Sequence, residues 1–284
     1  MGEFVTIAYG DATAKISFVG AELVSFQKNG REIIWQGDAA FWSGRCPVLF
    51  PVCGGLKDDV YYLDGKAYVQ QKHGFARKEV FYLYEKTENS ATFLLTDSEK
   101  TREGFPFRFR FFVKFVLGED LLVEYRVENL DEKTMYCTLG AHEGYALEDD
   151  FENYSIVFEE KETLRSYNLK GNLLGYDYTD VGENVDELVL DYRYFAVDAL
   201  VFKDIKSRKV WLKHKTQGKL LEVEFSDFNH LLLWTKPNAK YICIEPWIAV
   251  QDMVDSNQDI TQKPNVVVIA PKQSKGFTHR IKAL

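Results

Sequence analysis

Phe107-Arg108-Phe109-Arg110-Phe111-Phe112-Val113-Lys114-Phe115 carries Phe107, Phe109, Phe111, Val113 and Phe115 on one face and mostly charged residues on the other. Alternation of this kind is the period-two signature of a half-buried strand. After a break at Gly118-Glu119-Asp120, residues 121–128 alternate again, with Leu121, Val123, Tyr125 and Val127 sharing a face. The two runs read as an antiparallel hairpin.

Outward from this hairpin, similar runs occupy 4–9, 14–18, 79–84, 91–96, 134–141, 154–158, 210–214, 220–225, 231–235, 241–245 and 266–270. Turn chemistry punctuates them at Lys28-Asn29-Gly30, Leu63-Asp64-Gly65, Asp131-Glu132-Lys133 and Lys236-Pro237-Asn238. Helical periodicity is confined to two short candidates, 248–254 and 186–190. Many short strands without a βαβ rhythm predict an all-β protein, a large antiparallel β-sandwich. No composition shift or internal repeat marks a linker in the 284 residues. Sandwiches of roughly 250 residues form one unit routinely, so a single domain over residues 1–284 is expected.

With 46% hydrophobic and 27% charged residues the chain can build a large core, which excludes disorder. A formal charge of −8 opposes a polyanion, so no nucleic acid partner is expected. The longest uncharged apolar stretch, 46–56, is interrupted by Pro47 and Pro51. It falls far below the roughly 20 apolar residues of a spanning helix, and no membrane partner is expected. Residues 1–6 show no cationic segment followed by an apolar one, hence no secretory signal. Cys46, Cys53, Cys137 and Cys243 share no C-x-x-C spacing and read as buried free thiols. The expected compartment is the cytoplasm.

The chain has five histidines, none at an H-x-H or H-x-x-x-H spacing, so no metal site is expected. A G-x-S-x-G elbow, a P-loop and a G-x-G-x-x-G fingerprint are absent too. His142 ends a run whose more polar face carries Tyr136, Thr138 and Gly140, a place suited to proton exchange beside a glycine that lets a ligand approach. Glu245 closes the run 241–245 and is followed at once by Pro246 and Trp247, which pairs a carboxylate with an aromatic platform, as a sugar site requires. Between Trp42 and Arg77, Arg45, His73 and Arg77 are flanked by Gly and Pro and could fix hydroxyls or an anionic group. Structural roles, as surface salt bridges or satisfied core groups, remain open for each of these residues on spacing alone.

Taken together, Trp42-Ser43-Gly44-Arg45-Cys46-Pro47-Val48-Leu49-Phe50-Pro51, His73-Gly74-Phe75-Ala76-Arg77, Gly140-Ala141-His142, Val197-Asp198-Ala199-Leu200-Val201-Phe202 and Ile244-Glu245-Pro246-Trp247 resemble, in order, the motifs of the aldose 1-epimerase (galactose mutarotase) family, and more closely its LacX-like branch. The resemblance implies a galactose mutarotase-like supersandwich with a sugar cleft on one sheet. It implies Glu245 as general base on the anomeric hydroxyl and His142 as general acid on the ring oxygen. Arg45, His73 and Asp198 would contact the sugar, and no cofactor or metal is called for. A neutral hemiacetal opens only if one proton leaves as another arrives, whatever the family. Arg45 and Arg77, if both face the cleft, would favour a sugar phosphate or another anionic hexose. One departure is His142-Glu143-Gly144-Tyr145, where the branch commonly has proline and an aromatic after the histidine. It sets an extra carboxylate beside the acid, able to raise the histidine pKa or rearrange the loop. The rival readings are a non-catalytic carbohydrate-binding β-sandwich and a glycosidase, the latter needing a second carboxylate roughly 5 to 9 Å from Glu245.

Overall fold

The computed structural model describes residues 4–284; residues 1–3 of the segment 1–6, read above as carrying no secretory signal, lie outside it. The aromatic runs form the expected hairpin: strand Phe109–Leu117 pairs antiparallel with strand Leu121–Asn129, with Leu117 opposite Leu121 and Phe109 opposite Asn129. Phe109, Phe111, Val113 and Phe115 are buried with Leu121, Val123, Tyr125 and Val127, while Arg110 and Arg126 stay in solvent.

This hairpin sits in a 13-stranded sheet in which every pairing is antiparallel. Its path starts at Glu143–Ala146, then runs through Tyr241–Trp247, His230–Trp234, Leu200–Phe202, Tyr154–Lys170, Lys209–His214 and Gly218–Glu224. It continues through Ser274–Ala283, Leu121–Asn129, Phe109–Leu117 and Ser90–Thr96 to Tyr82–Lys86. Leu173–Val189 pairs with Tyr154–Lys170 off this path, as a long bulged hairpin. A four-stranded sheet of Phe4–Tyr9, Ala12–Ser17, Leu23–Lys28 and Arg31–Glu32 packs Val5, Ile7, Ala14 and Ile16 onto the same core. Phe18 meets Phe93 edge to face at 5.7 Å between ring centroids.

The long path curls back on itself. Glu143, on the first strand, contacts His279, on the eighth, at 3.1 Å with both side chains buried. The result is the large antiparallel β-sandwich that the alternation predicts. Among the described residues the only α-helix is Glu99–Gly104, capped by Ser98 and Thr101 in a reciprocal capping box.

Both helix candidates are corrected. Residues 186–190 belong mostly to strand Leu173–Val189, where Val189, Leu188 and Glu187 pair with Ser155, Ile156 and Val157. Residues 248–254 are irregular, because their backbone is used elsewhere: the Ile248 N–H donates to Leu139 O and the Asp252 N–H to Gly55 O. Among the described residues no helix is long and apolar enough to cross a membrane.

Candidate active site

Strand Tyr241–Trp247 is buried along its whole length, apolar on one face and carrying Glu245 among Tyr241, Cys243 and Trp247 on the other. Ile242 and Ile244 enter the main core, whereas Tyr241, Cys243, Glu245 and Trp247 face the other way. The neighbouring strand His230–Trp234 does the same, with Leu231 and Leu233 in the core and Leu232 and Trp234 outside it. That outer face forms the floor of a cleft of about 250 Å³. Lys72, His73, Arg77, His142, Asp198, Glu245 and Gln251 line it, with the rings of Trp42, Trp234 and Trp247.

His142 and Glu245 meet there, with Nε2 and Oε2 3.4 Å apart. Glu245 is 2% exposed and His142 12%. Burial raises the Glu245 carboxyl well above the ordinary carboxylate range. Burial also pushes the His142 imidazole down to about 3, with the Arg77 and Lys72 charges acting in the same direction. Both groups are thereby driven toward their neutral forms, and the 3.4 Å contact lets one proton pass between them. Trp42 lies 5.2 Å from the His142 ring, centroid to centroid, and Trp234 5.8 Å.

The Glu143 carboxylate does not reach the cleft. Strand alternation turns it inward toward His279, so it neither faces His142 nor raises its pKa. The chain around it keeps strand geometry, with Gly144 opposite Cys243.

His73 is aimed by two successive left-handed residues, His73 at φ 69° and Gly74 at φ 68°. A Cβ on Gly74 would stand 2.3 Å from Phe50 O, so the turn fits only glycine there. The His73 Nδ1 accepts the Gly54 N–H at 3.1 Å, which places the ring hydrogen on Nε2. Burial holds this imidazole neutral, its pKa well below the usual histidine range, so His73 is a neutral donor against the Trp247 edge at 5.4 Å. Trp247 in turn donates its Nε1–H to Ala141 O at 3.2 Å, over the bare Gly140.

Asp198 lies at the cleft's far side, where its Oδ1 accepts the Ala199 N–H at 2.9 Å and its Oδ2 is 3.9 Å from Lys72 Nζ. Arg77 reaches the cleft and donates through Nη2 to Lys72 O at 3.0 Å; its Nε is buried without a partner. Arg45 is not among the residues lining the cleft. Its Nη2 donates to Gln36 O at 2.9 Å, and its backbone is held by Glu22 Oε1 and by the Gly144 N–H, so it braces the edge of the sheet. Lys72, Gln251 and Trp234 line the cleft without having been singled out from sequence, and Trp42 was read only as the first residue of the motif 42–51; the adjacency of Lys72 to His73 offered a further signal.

The donor atoms of His142, Cys243 and Glu245 lie within 4.8 Å of one another, the one such grouping among the described residues. Burial, with the nearby Glu245 charge, keeps the Cys243 thiol strongly protonated, and it packs with Trp35, Trp42 and Trp234.

A close imidazole–carboxyl contact at the floor of an aromatic cleft, on one sheet of a β-sandwich, fits the family the motifs resemble. The chain belongs to the aldose 1-epimerase family, whose sequence profile matches residues 3–281. Among particular proteins it is similar to LacX of Lactococcus lactis subsp. lactis, in its chromosomal and plasmid forms. Each is 33% identical over 288 residues, covering 96% of this chain and 96% of the relative. Its fold matches the X-ray structure of a galactose mutarotase related enzyme from Lactobacillus acidophilus with a TM-score of 0.91 at 29% identity, over 99% of this chain and 97% of that one. A galactose mutarotase-like protein from Lactobacillus casei ATCC 334 superposes with a TM-score of 0.92 at 26% identity, over 99% and 100%.

Proposed function

We propose that this protein is a cofactor-independent mutarotase that interconverts the α and β anomers of a hexose. The observation that carries the reading is the buried His142–Glu245 contact, an acid and a base 3.4 Å apart at the floor of the cleft. Glu245 takes the proton of the anomeric hydroxyl while His142 delivers one to the ring oxygen, and the ring opens to the aldehyde. Rotation about C1–C2 and the reverse transfers close it on the other face. The pair holds the same number of protons throughout. In the free cleft burial favours Glu245 protonated and His142 neutral, so the proton first crosses the 3.4 Å contact from Glu245 to His142; ring opening then returns the pair to the neutral forms that accompany the open chain.

His73 and Asp198 supply a donor and an acceptor to the hydroxyls. Of the two arginines expected to favour a phosphorylated sugar, Arg45 is held at Gln36 O, and Arg77 alone lines the cleft, so a free hexose is the substrate proposed. Four free, buried cysteines support a reducing compartment such as the cytoplasm. The test is NMR exchange between anomers across a panel of free and phosphorylated hexoses. Glu245→Gln and His142→Asn should each slow exchange by about 10² or more, the double variant little further, with sugar binding retained. Wild-type rates in Glu245→Gln would sink the mechanism. Binding without exchange on every sugar would make the protein a carbohydrate-binding module instead.

A further inference from the structure

Cys243 and Glu245 stand two residues apart on strand Tyr241–Trp247 and so project from the same outer face. Across the ladder Glu143 pairs with Ile244 and Gly140 bridges Trp247, a common register that sets His142 opposite Glu245. An imidazole, a thiol and a carboxyl thereby converge, with their donor atoms within 4.8 Å of one another. The proposed mechanism uses the imidazole and the carboxyl and leaves the thiol without a role. We propose that His142, Cys243 and Glu245 form a site for a thiophilic divalent cation, zinc in particular, and that the bound ion switches off the acid–base pair. The binding stands on the geometry alone; the inhibition rests on the mutarotase reading above.

Donors about 2.0 to 2.3 Å from a tetrahedral zinc stand roughly 3.3 to 3.5 Å from each other. His142 Nε2 and Glu245 Oε2, at 3.4 Å, already have that separation. Bringing in the Cys243 Sγ takes roughly 1 to 1.5 Å, shared among three side chains. Nitrogen, sulfur and carboxylate oxygen are the donors zinc takes, whereas magnesium and calcium keep to oxygen. His142 and Glu245 line the cleft and Cys243 does not, so the fourth, open position faces the cleft and Sγ closes the site from below, against Trp35, Trp42 and Trp234. On binding, the Cys243 thiol and the Glu245 carboxyl each release a proton to solvent, and the already neutral His142 gives its Nε2 lone pair. One thiolate, one carboxylate and a divalent ion sum to zero charge, which lifts the burial cost that keeps both acids protonated. Glu245 bound to the ion has no lone pair free for the anomeric proton, and His142 bound through Nε2 has no proton to give the ring oxygen.

The experiment titrates the full chain, stripped by a chelator, with cobalt(II) as a spectroscopic stand-in for zinc. The wild type should develop thiolate-to-cobalt charge-transfer absorption and tetrahedral d–d bands, which zinc bleaches. No other cysteine among the described residues belongs to such a grouping, so Cys243→Ser and Cys243→Ala should each lose the charge-transfer band. His142→Asn should weaken cobalt binding about 100-fold. In NMR anomer exchange, zinc buffered in the micromolar range should slow the wild type by about tenfold or more, and chelator should restore the rate. The two Cys243 variants should exchange at the wild-type rate with or without zinc. A wild type without the thiolate–cobalt band, or zinc inhibition that survives both Cys243 variants, would overturn the proposal. Bands that depend on all three residues, in a protein that exchanges no hexose, would leave the metal site standing and remove the mutarotase reading.

Discussion

Glu245 and His142 are displaced in opposite directions by the same cause, and the pH dependence follows from that. On the proposed mechanism the pair works while it holds one proton. Acid adds a second proton only when His142, held at about 3, accepts it. Alkali removes the last one only above the raised value of Glu245. The bell-shaped profile of kcat/KM should thus have an acid limb near 3 and an alkaline limb well above 4.5, belonging to His142 and Glu245 respectively, the reverse of their ordinary order. Limbs at the ordinary values would show that water solvates the pair. Stability carries the same signature. A carboxyl whose folded pKa is raised binds its proton more tightly when folded, so its contribution is full below the unfolded value and is lost as pH rises through the folded one. Glu245→Gln removes that loss. The variant should be more heat-stable than the wild type, with a margin that widens from pH 5 upward, as thermal melts across pH would record.

The elements decide what could be read in advance. Gly74 is one device: Gly74→Ala puts a Cβ 2.3 Å from Phe50 O at a φ of 68°, and should destabilise by about 1 to 3 kcal/mol. Because the same turn aims His73, KM should rise more than kcat falls, which melting curves and steady-state kinetics together would show. Strands with one clean apolar face, such as Phe109–Leu117, announced themselves by alternation. Ser274–Ala283 did not, because its inward residues include His279 and its outward ones are polar along the whole length. Only the first five residues of Tyr154–Lys170 were legible, since bulges break the period beyond Val157. The short helix Glu99–Gly104 was not read from the sequence, because it carries no apolar stripe and its start is set by the Ser98 and Thr101 capping box alone. At the site, His142, Glu245, His73, Arg77 and Asp198 converge as their motifs suggested. Arg45 does not, because spacing in sequence says nothing of whether a guanidinium turns toward a cleft or toward a carbonyl such as Gln36 O.

At the scale of the whole molecule, Glu143 and His279 tie the first strand of the sheet path to the eighth. Removing one partner leaves a buried polar group without its neighbour, so Glu143→Leu or His279→Leu should each lose about 1 to 3 kcal/mol. The double variant should recover most of that loss, as urea titrations would reveal. His142 serves the cleft and Glu143, its neighbour, serves the interior, because a strand sends successive side chains to opposite faces. That strict division of labour limits how the gene can drift. Point changes can be screened one at a time around this segment, but the gain or loss of a single codon between 139 and 145 would exchange the two roles at a stroke. It would send an imidazole into the core and a carboxylate to the substrate. Lineages descended from this protein should therefore vary here in spelling and never in length.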